Sequence, residues 1–137
     1  MGIERGLNVS QQSEKRITAI ILLPKYYNPD ERGQCKKVEG NKFKLTCKEI
    51  TEMMIQRWGE GGCILDPEPK KGFWGRLGVI YEDNMMALEI DNIPDTEKDR
   101  QWLIEYAREV LCDRFCQEAI LVKFVPLVEV HIVKARR

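Results

Sequence analysis

The segment RITAIILLP, residues 16–24, is apolar at almost every position after its first residue. Successive side chains of a β-strand point to opposite faces, so a strand of this composition is apolar on both faces. Such a strand is typical of the interior of a sheet rather than of its edge. Pro24 predicts the end of the strand, because proline cannot donate to a sheet ladder.

Helix signals occur in two places. Thr46 and Glu49 match the T-x-x-E capping box, and Leu45 with Ile50 has the spacing of a hydrophobic staple, so the pattern predicts a helix over about residues 47–58.

A second helix is predicted to begin at Thr96, with Thr96 and Asp99 as a cap pair. Its apolar positions recur at helical spacing as far as Phe115. The predicted buried face consists of Trp102, Leu103, Tyr106, Ala107, Val110, Leu111 and Phe115.

The remaining extended segments complete the predicted order. Short strands are expected at residues 63–65 and 73–81, and a hairpin turn at 82–84 leads into a strand over 85–91. A last strand from Ala119 is expected to break at Pro126, with an extra C-terminal strand ending at Val133. This order predicts an α+β, ferredoxin-like β-α-β-β-α-β two-layer sandwich over residues 16–137, preceded by a flexible tail at 1–15.

The C-terminal half, DTEKDRQWLIEYAREVLCDRFCQEAILVKF, contains an R-F-x-Q-E-A-type turn between the last helix and the last strand. In this it resembles a family of small uncharacterised bacterial domains. The resemblance covers about a third of the chain and implies a ferredoxin-like fold. It implies no activity, because it depends on a packing motif.

Charge and hydropathy exclude several classes of function. Twenty-two basic residues balance twenty-two acidic ones, which makes nucleic-acid binding by phosphate neutralisation an unlikely function for this chain. The lysines between residues 36 and 48 are predicted to form a solvated face. No apolar run reaches the roughly 18 residues of a membrane span, and no secretion signal precedes the first strand, so a cytoplasmic protein without a membrane partner is expected.

The chain has five cysteines and a single histidine, His131. An odd cysteine count without a signal peptide favours free thiols, and Cys112 with Cys116 lacks the further ligands that a zinc site needs. Neither a Ser-His-Asp arrangement nor a phosphate-binding glycine loop occurs. No metal and no cofactor is therefore expected.

The second face of the predicted sheet is where a function could lie. Strand alternation places Glu89 and Asp91 on that face, together with Lys123, Glu129 and His131 from the last strands. Their apolar neighbours there are Leu121, Val125, Leu127 and Val133. Helices cover one face of a two-layer fold, so this face is a dimer interface, a ligand site, or covered by residues 25–44 and 67–80. The alternative interpretation of its polar groups is that they only border solvent at the edge of the sheet.

The segment PEPKKGFWGRLGVIYEDN, residues 67–84, allows two interpretations. Phe73 and Trp74 lie between glycines and beside Lys70, Lys71 and Arg76, which suits an anionic or aromatic ligand. The other interpretation, which we favour at this point, is that the tryptophan packs an irregular loop onto the sheet face.

Two function classes follow. The first is a binding or interaction module that forms a homodimer through the open sheet face. The alternative is a small-molecule enzyme or ligand sensor with its site between that face and residues 67–80. That site would use His131 and Glu89 as acid and base, with ligand contacts from Lys70, Phe73, Trp74, Arg76, Lys123 and Glu129. A pocket containing His131 would favour the enzyme, and a flat apolar face would favour the module.

Overall fold

The computed structural model describes residues 15–66, 68–127, 129, 131 and 133–136, and over these the chain has an α+β fold. Five strands form one antiparallel sheet: β1 Arg16–Pro24, β2 Cys63–Leu65, β3 Lys70–Arg76, β4 Val79–Pro94 and β5 Leu121–Leu127. The helical segments are α1 Gly40–Trp58, α2 Glu97–Tyr106, a π-helical turn at Ala107–Leu111 and α3 Cys112–Arg114.

The strand order is β2-β4-β1-β5, with β3 paired to the outer part of β4. β1 is therefore an interior strand, as its composition predicts. Its alternate side chains Ile17, Ala19, Ile21 and Leu23 are fully buried. They form one core with the apolar faces of α1 and α2, so the helices pack on one face of the sheet.

Helix α1 begins at Gly40, six residues before the start of the predicted capping box, and the prediction that Thr46 caps it is wrong. Thr46 is fully buried inside the helix, where its hydroxyl donates to the carbonyl of Lys42 at 2.8 Å and accepts from Arg114 at 2.9 Å. Glu49 also binds Arg114, at 3.0 Å. The T-x-x-E pair connects α1 to the end of the second helical region.

The predicted start of the second helix is confirmed. Thr96 is the N-cap, and its hydroxyl oxygen accepts from the Asp99 amide at 3.0 Å. Asp99 in turn accepts from Arg57 at 2.6 Å, which joins α2 to the end of α1. The Arg57 guanidinium lies 5.4 Å and 4.9 Å from the ring centres of Trp58 and Trp102.

The hairpin turn lies at Leu77 and Gly78, and the prediction of a turn at residues 82–84 is wrong. Both central residues have positive φ, 52° and 77°, which is the type I′ geometry of two-residue hairpins. Glu82 and Asp83 instead lie inside β4, opposite Phe73 and Gly72. They are polar because this part of β4 is exposed, not because the chain turns there.

β4 extends past the end of β1. β1 pairs with β4 from Pro94 down to Met85, and the Lys25 amide donates to the Asn84 carbonyl at 2.9 Å. Among the described residues, β4 from Val79 to Asp83 pairs with β3 alone. Residues 70–84 therefore form a two-stranded ribbon that projects from the sheet, and we refer to them as the ribbon. The prediction of an irregular loop at this place is wrong.

β5 continues through Pro126, which lies opposite Ile17, and so the predicted break there is wrong. Proline is tolerated because β5 is an edge strand. The extra C-terminal strand was predicted partly on residues outside the described set, and residues 129, 131 and 133 are not in a strand. The predicted tail, except Lys15, also lies outside the described residues. No described helix is both long and apolar enough to cross a membrane.

Candidate functional site

The face of the sheet away from the helices carries the candidate site. The registers place Ile64, Glu89, Ile20 and Lys123 in one row across β2, β4, β1 and β5. The next row holds Ala87, Leu22 and Leu121. Two ionisable groups therefore lie on an apolar floor, on either side of the central strand. Adjacent strands are about 4.8 Å apart, so Glu89 and Lys123 are roughly 10 Å apart along the backbone.

A cavity of about 750 Å³ lies over this floor. β3 bounds it on one side, because β3 is paired with the outer part of β4, and residues 70–74 of β3 line the cavity. The lining comes from β1 to β5 and consists of Ile20, Leu22, Ile64, Leu65, Asp66, Lys70, Lys71, Gly72, Phe73, Trp74, Met85, Ala87, Glu89 and Lys123. Residues 25–44, predicted as a possible cover for this face, do not contribute to the lining.

The ribbon has two sides, which its register defines. Trp74 and Tyr81 are opposite each other on the side that continues the Ala87 and Glu89 face, and we refer to this as the cavity side. Phe73 and Ile80 point to the other side, which we refer to as the outer side. Lys70 and Arg76 share the cavity side with Trp74, whereas Lys71 and Glu82 share the outer side.

Gly72 sets the shape of the cavity wall. A Cβ at this position would lie 2.5 Å from the Met85 methyl carbon and 3.2 Å from the indole nitrogen of Trp74. The Trp74 ring therefore lies back over Gly72 towards Met85. Gly75, two residues beyond Phe73 on the same strand, has open space where a Cβ would be.

Glu89 is the acidic group of the floor. A hydrogen bond with the carboxyl of Asp91, together with desolvation by burial and repulsion from Asp91, raises the pKa of Glu89. Asp91 is held in turn by the Thr18 hydroxyl, which donates to it at 2.7 Å. Glu89 therefore holds its proton to a higher pH than an ordinary glutamate does, and the carboxyl pair that it forms with Asp91 borders the cavity.

The cations of the cavity differ in what they bind. Lys70 forms an ion pair with Asp66 at 2.5 Å and holds the pKa of that carboxyl below its usual range. Lys71 is 3.0 Å from Glu82. The Lys123 ammonium has no carboxylate within ion-pair distance among the described residues. It is the cation of this site that is available to an anionic ligand.

The structure brings together some of the predicted site residues and separates others. Glu89 and Lys123, with Lys70, Phe73 and Trp74 from the ribbon, line the cavity. Arg76 lies at the end of β3 on the cavity side but does not line it.

The predicted acid–base pair of His131 and Glu89 does not form in the cavity. His131 is not among the lining residues. Its Nε2 lies 2.9 Å from Glu129, and both side chains are about 70% exposed or more. Gly72 and Asp66 line the cavity but were not predicted as site residues. For Gly72 the sequence holds a usable signal, since this glycine directly precedes the aromatic pair Phe73 and Trp74.

The described cysteines are free. Cys47 donates from its thiol to the carbonyl of Cys63 at 3.3 Å, and burial raises the pKa of the Cys63 thiol. These two residues border a smaller cavity of about 310 Å³ on the helix side of β2. Among the described residues no group of three or more potential metal ligands occurs.

Comparisons with known proteins assign no family. No family model matches the chain. No curated protein matches it either. One solved structure, a phage SAM lyase in complex with S-methyl-5'-thioadenosine, is 15% identical in sequence, and the match covers 88% of this chain and 90% of that one with a TM-score of 0.47. A likeness at this level carries no argument about function. The argument for a function therefore has to come from the residues of the site.

Proposed function

We propose that this chain binds a small organic ligand that has a flat ring and an acidic group, in the cavity between the second sheet face and β3. The observation that supports this most directly is the cavity itself, about 750 Å³ over an apolar floor with ionisable groups at defined positions. Small-molecule sites typically have 300–1,000 Å³, apolar walls and a few polar groups that orient the ligand.

The ring is expected to lie against Trp74. Ile20, Leu22 and Ala87 supply an apolar floor, and the indole supplies a flat wall beside it. An aromatic ligand between these surfaces would bury both its faces, and aromatic pairs gain about 0.5–1.5 kcal/mol beyond the buried area.

The acidic group is expected to bind Lys123. Lys70 and Lys71 already pair with carboxylates, whereas the Lys123 ammonium has no such partner in the described part of the chain. Across β1, the Glu89 carboxyl lines the cavity as the polar group that faces the other end of the ligand. The two groups thus fix the orientation of a ligand about 10 Å long.

A second candidate function, an enzyme at the same site, is favoured by one observation. The Glu89 carboxyl has its pKa raised by Asp91 and lies in the cavity, which suits a general acid. In this case Glu89→Gln would abolish turnover of a bound compound while leaving its affinity nearly unchanged. If the wild type does not turn over the bound compound, and Glu89→Gln only binds it more weakly, the binding function is favoured instead.

The dye 1-anilinonaphthalene-8-sulfonate tests the binding proposal, because it combines flat rings with an anionic group. We expect saturable binding to the wild type. Lys123→Gln should lose at least about tenfold in affinity, since a charge-assisted contact contributes about 1.5–3 kcal/mol, and Trp74→Ala should lose several-fold, since an aromatic pair contributes about 0.5–1.5 kcal/mol beyond the buried area. Lys44→Gln on α1 is the matched control, being an exposed lysine outside the cavity. Equal affinity in all four proteins would refute the proposed site.

We also propose that the fold is ferredoxin-like and that the chain self-associates. The first proposal is supported by the position of β4 between β1 and β2, and of β1 between β4 and β5, which splits both β-α-β units. The second was predicted for the sheet face, where Leu121 and Val125 are each 38% exposed. The cavity occupies part of that face.

A further inference from the structure

Six large apolar side chains of the ribbon are exposed. They are Phe73 at 64%, Trp74 at 38%, Leu77 at 91%, Val79 at 48%, Ile80 at 75% and Tyr81 at 53%. Single exposed apolar residues are ordinary on a protein surface, but a contiguous group on a projecting element marks an interaction site. Trp74 and Tyr81 point to the cavity side. Ile80 and the tip residue Leu77 are not among the residues that line the cavity, and Phe73, which does line it, points to the outer side.

We propose that the outer side and tip of the ribbon bind the same surface of a second copy of this chain. The proposal rests on the self-association proposed above and replaces the sheet face with the ribbon as its surface.

The exposed area fits a dimer of two such ribbons. From their exposure, Phe73, Leu77 and Ile80 present on the order of 400 Å² of apolar surface per copy. About 57% of a typical interface is non-polar, so 400 Å² corresponds to about 700 Å² buried on each copy. This is close to the roughly 800 Å² per partner of a stable, specific interface.

The charges of the outer side suit a partner that is identical. Lys71 and Glu82 flank Phe73 and Ile80, and they lie 3.0 Å apart within one chain. A twofold axis that passes between these two side chains brings the lysine of each copy towards the glutamate of the other, so that no like charges have to meet. A patch of one sign would instead have favoured a partner of opposite charge.

The backbone of the tip supports the same surface. Leu77 has φ 52°, a conformation that side chains with a Cβ adopt at a cost, and it is 91% exposed. No residue in the described part of its own chain buries it, so neither the turn nor the core accounts for a leucine at this position. Burial against a second copy does.

Sedimentation velocity between 5 and 100 µM tests the proposal without any ligand. We expect the wild type at 100 µM to sediment mainly as a dimer of about twice the chain mass of 16.0 kDa and to dissociate towards the monomer on dilution, and Ile80→Lys to sediment as the monomer throughout. Ile55→Lys is the matched control and should remain dimeric, because Ile55 is an isoleucine 50% exposed on α1, away from the ribbon. Leu77→Asn, which suits the turn and so preserves folding, should weaken the dimer at least tenfold.

Three outcomes would overturn the inference. A wild type that is monomeric at 100 µM refutes self-association by any surface. A dimer that persists in both Ile80→Lys and Leu77→Asn, but is split by Val125→Asp, places the interface on the sheet face. A dimer that Ile55→Lys splits as readily as Ile80→Lys shows that the ribbon has no specific part in it. None of these outcomes changes what is expected of Lys123→Gln and Trp74→Ala at a fixed protein concentration, so the ligand site is tested separately.

Discussion

Leu77→Asn is expected to make the isolated chain more stable. Leu77 is the first central residue of the type I′ turn and has φ 52°, next to Gly78 with φ 77°. A residue with a branched or long side chain pays roughly 1–2 kcal/mol in the left-handed region, whereas Asn is favoured there and Asn-Gly is the preferred pair for this turn.

The loss of the leucine side chain should cost little. Leu77 is 91% exposed, so less than a tenth of its surface is buried. Full burial of a leucine contributes about 1.5–3 kcal/mol, and a tenth of this is roughly 0.2 kcal/mol. The net expectation is a gain of about 1 kcal/mol in the free energy of unfolding.

Urea denaturation at 1 µM or below, followed by tryptophan fluorescence, measures this gain while the chain is monomeric. With a urea slope of about 2 kcal/mol per molar, the midpoint should rise by roughly 0.5 M. Gly78→Ala should lower it, since that residue also has positive φ. Leu45→Asn, at a leucine 53% exposed on α1, controls for the general effect of removing surface leucine and should bring no gain. A midpoint of Leu77→Asn at or below the wild type would refute the argument from backbone strain.

Three further outcomes are expected. Gly72→Ala should weaken dye binding several-fold, because its Cβ would displace Met85 and Trp74, whereas Gly75→Ala on the same strand should not, and titration of both variants checks this. Glu89→Gln should raise the urea midpoint at pH 7 but not near pH 4. Because the pKa of Glu89 is raised in the folded state, the folded protein becomes less stable as the pH rises through that pKa and the carboxyl loses its proton. Glutamine does not titrate, so the variant is spared this loss, and urea titrations at the two pH values measure the difference. All five cysteines should react with a thiol reagent in denatured protein without prior reduction, and one bound zinc per chain or a missing thiol would contradict this.

The sequence predicted most successfully where one local pattern decides the structure. Thr96 caps its helix through a contact that lies within one turn of the chain, since its hydroxyl oxygen accepts from the Asp99 amide. Thr46 has the same local pattern, yet α1 already begins at Gly40. Thr46 and Glu49 instead both accept hydrogen bonds from Arg114. The local motif alone does not contain this information, since the partner is 68 residues away in the chain.

The ribbon was mispredicted for a related reason. Turn residues are usually polar, so Glu82, Asp83 and Asn84 led to the prediction of a turn at 82–84, and no turn was predicted at Leu77 and Gly78. In a ribbon that projects from the sheet, a strand can be polar on an exposed side, and the turn at the tip can carry a leucine. Strand alternation still placed Glu89 and Lys123 on one face, since that depends only on the period of two.

The cavity and the proposed interface lie on opposite sides of the ribbon strands β3 and β4, so dimerisation on one side is expected to affect ligand binding on the other. Trp74 on the cavity side and Phe73 on the outer side are consecutive residues of β3, and Tyr81 and Ile80 are consecutive residues of β4. A ribbon with no other strand beside it bends more easily than a strand inside a sheet. Contact with a second copy on the outer side would restrict this bending and so hold Trp74 in place over the cavity floor. Ligand affinity should therefore rise with protein concentration in the wild type and stay constant in Ile80→Lys, whose cavity-side residues are unchanged. A dye titration at 1 and 100 µM protein measures the difference, and equal affinities in a wild type that dimerises over this range would show that the two sides of the ribbon act independently.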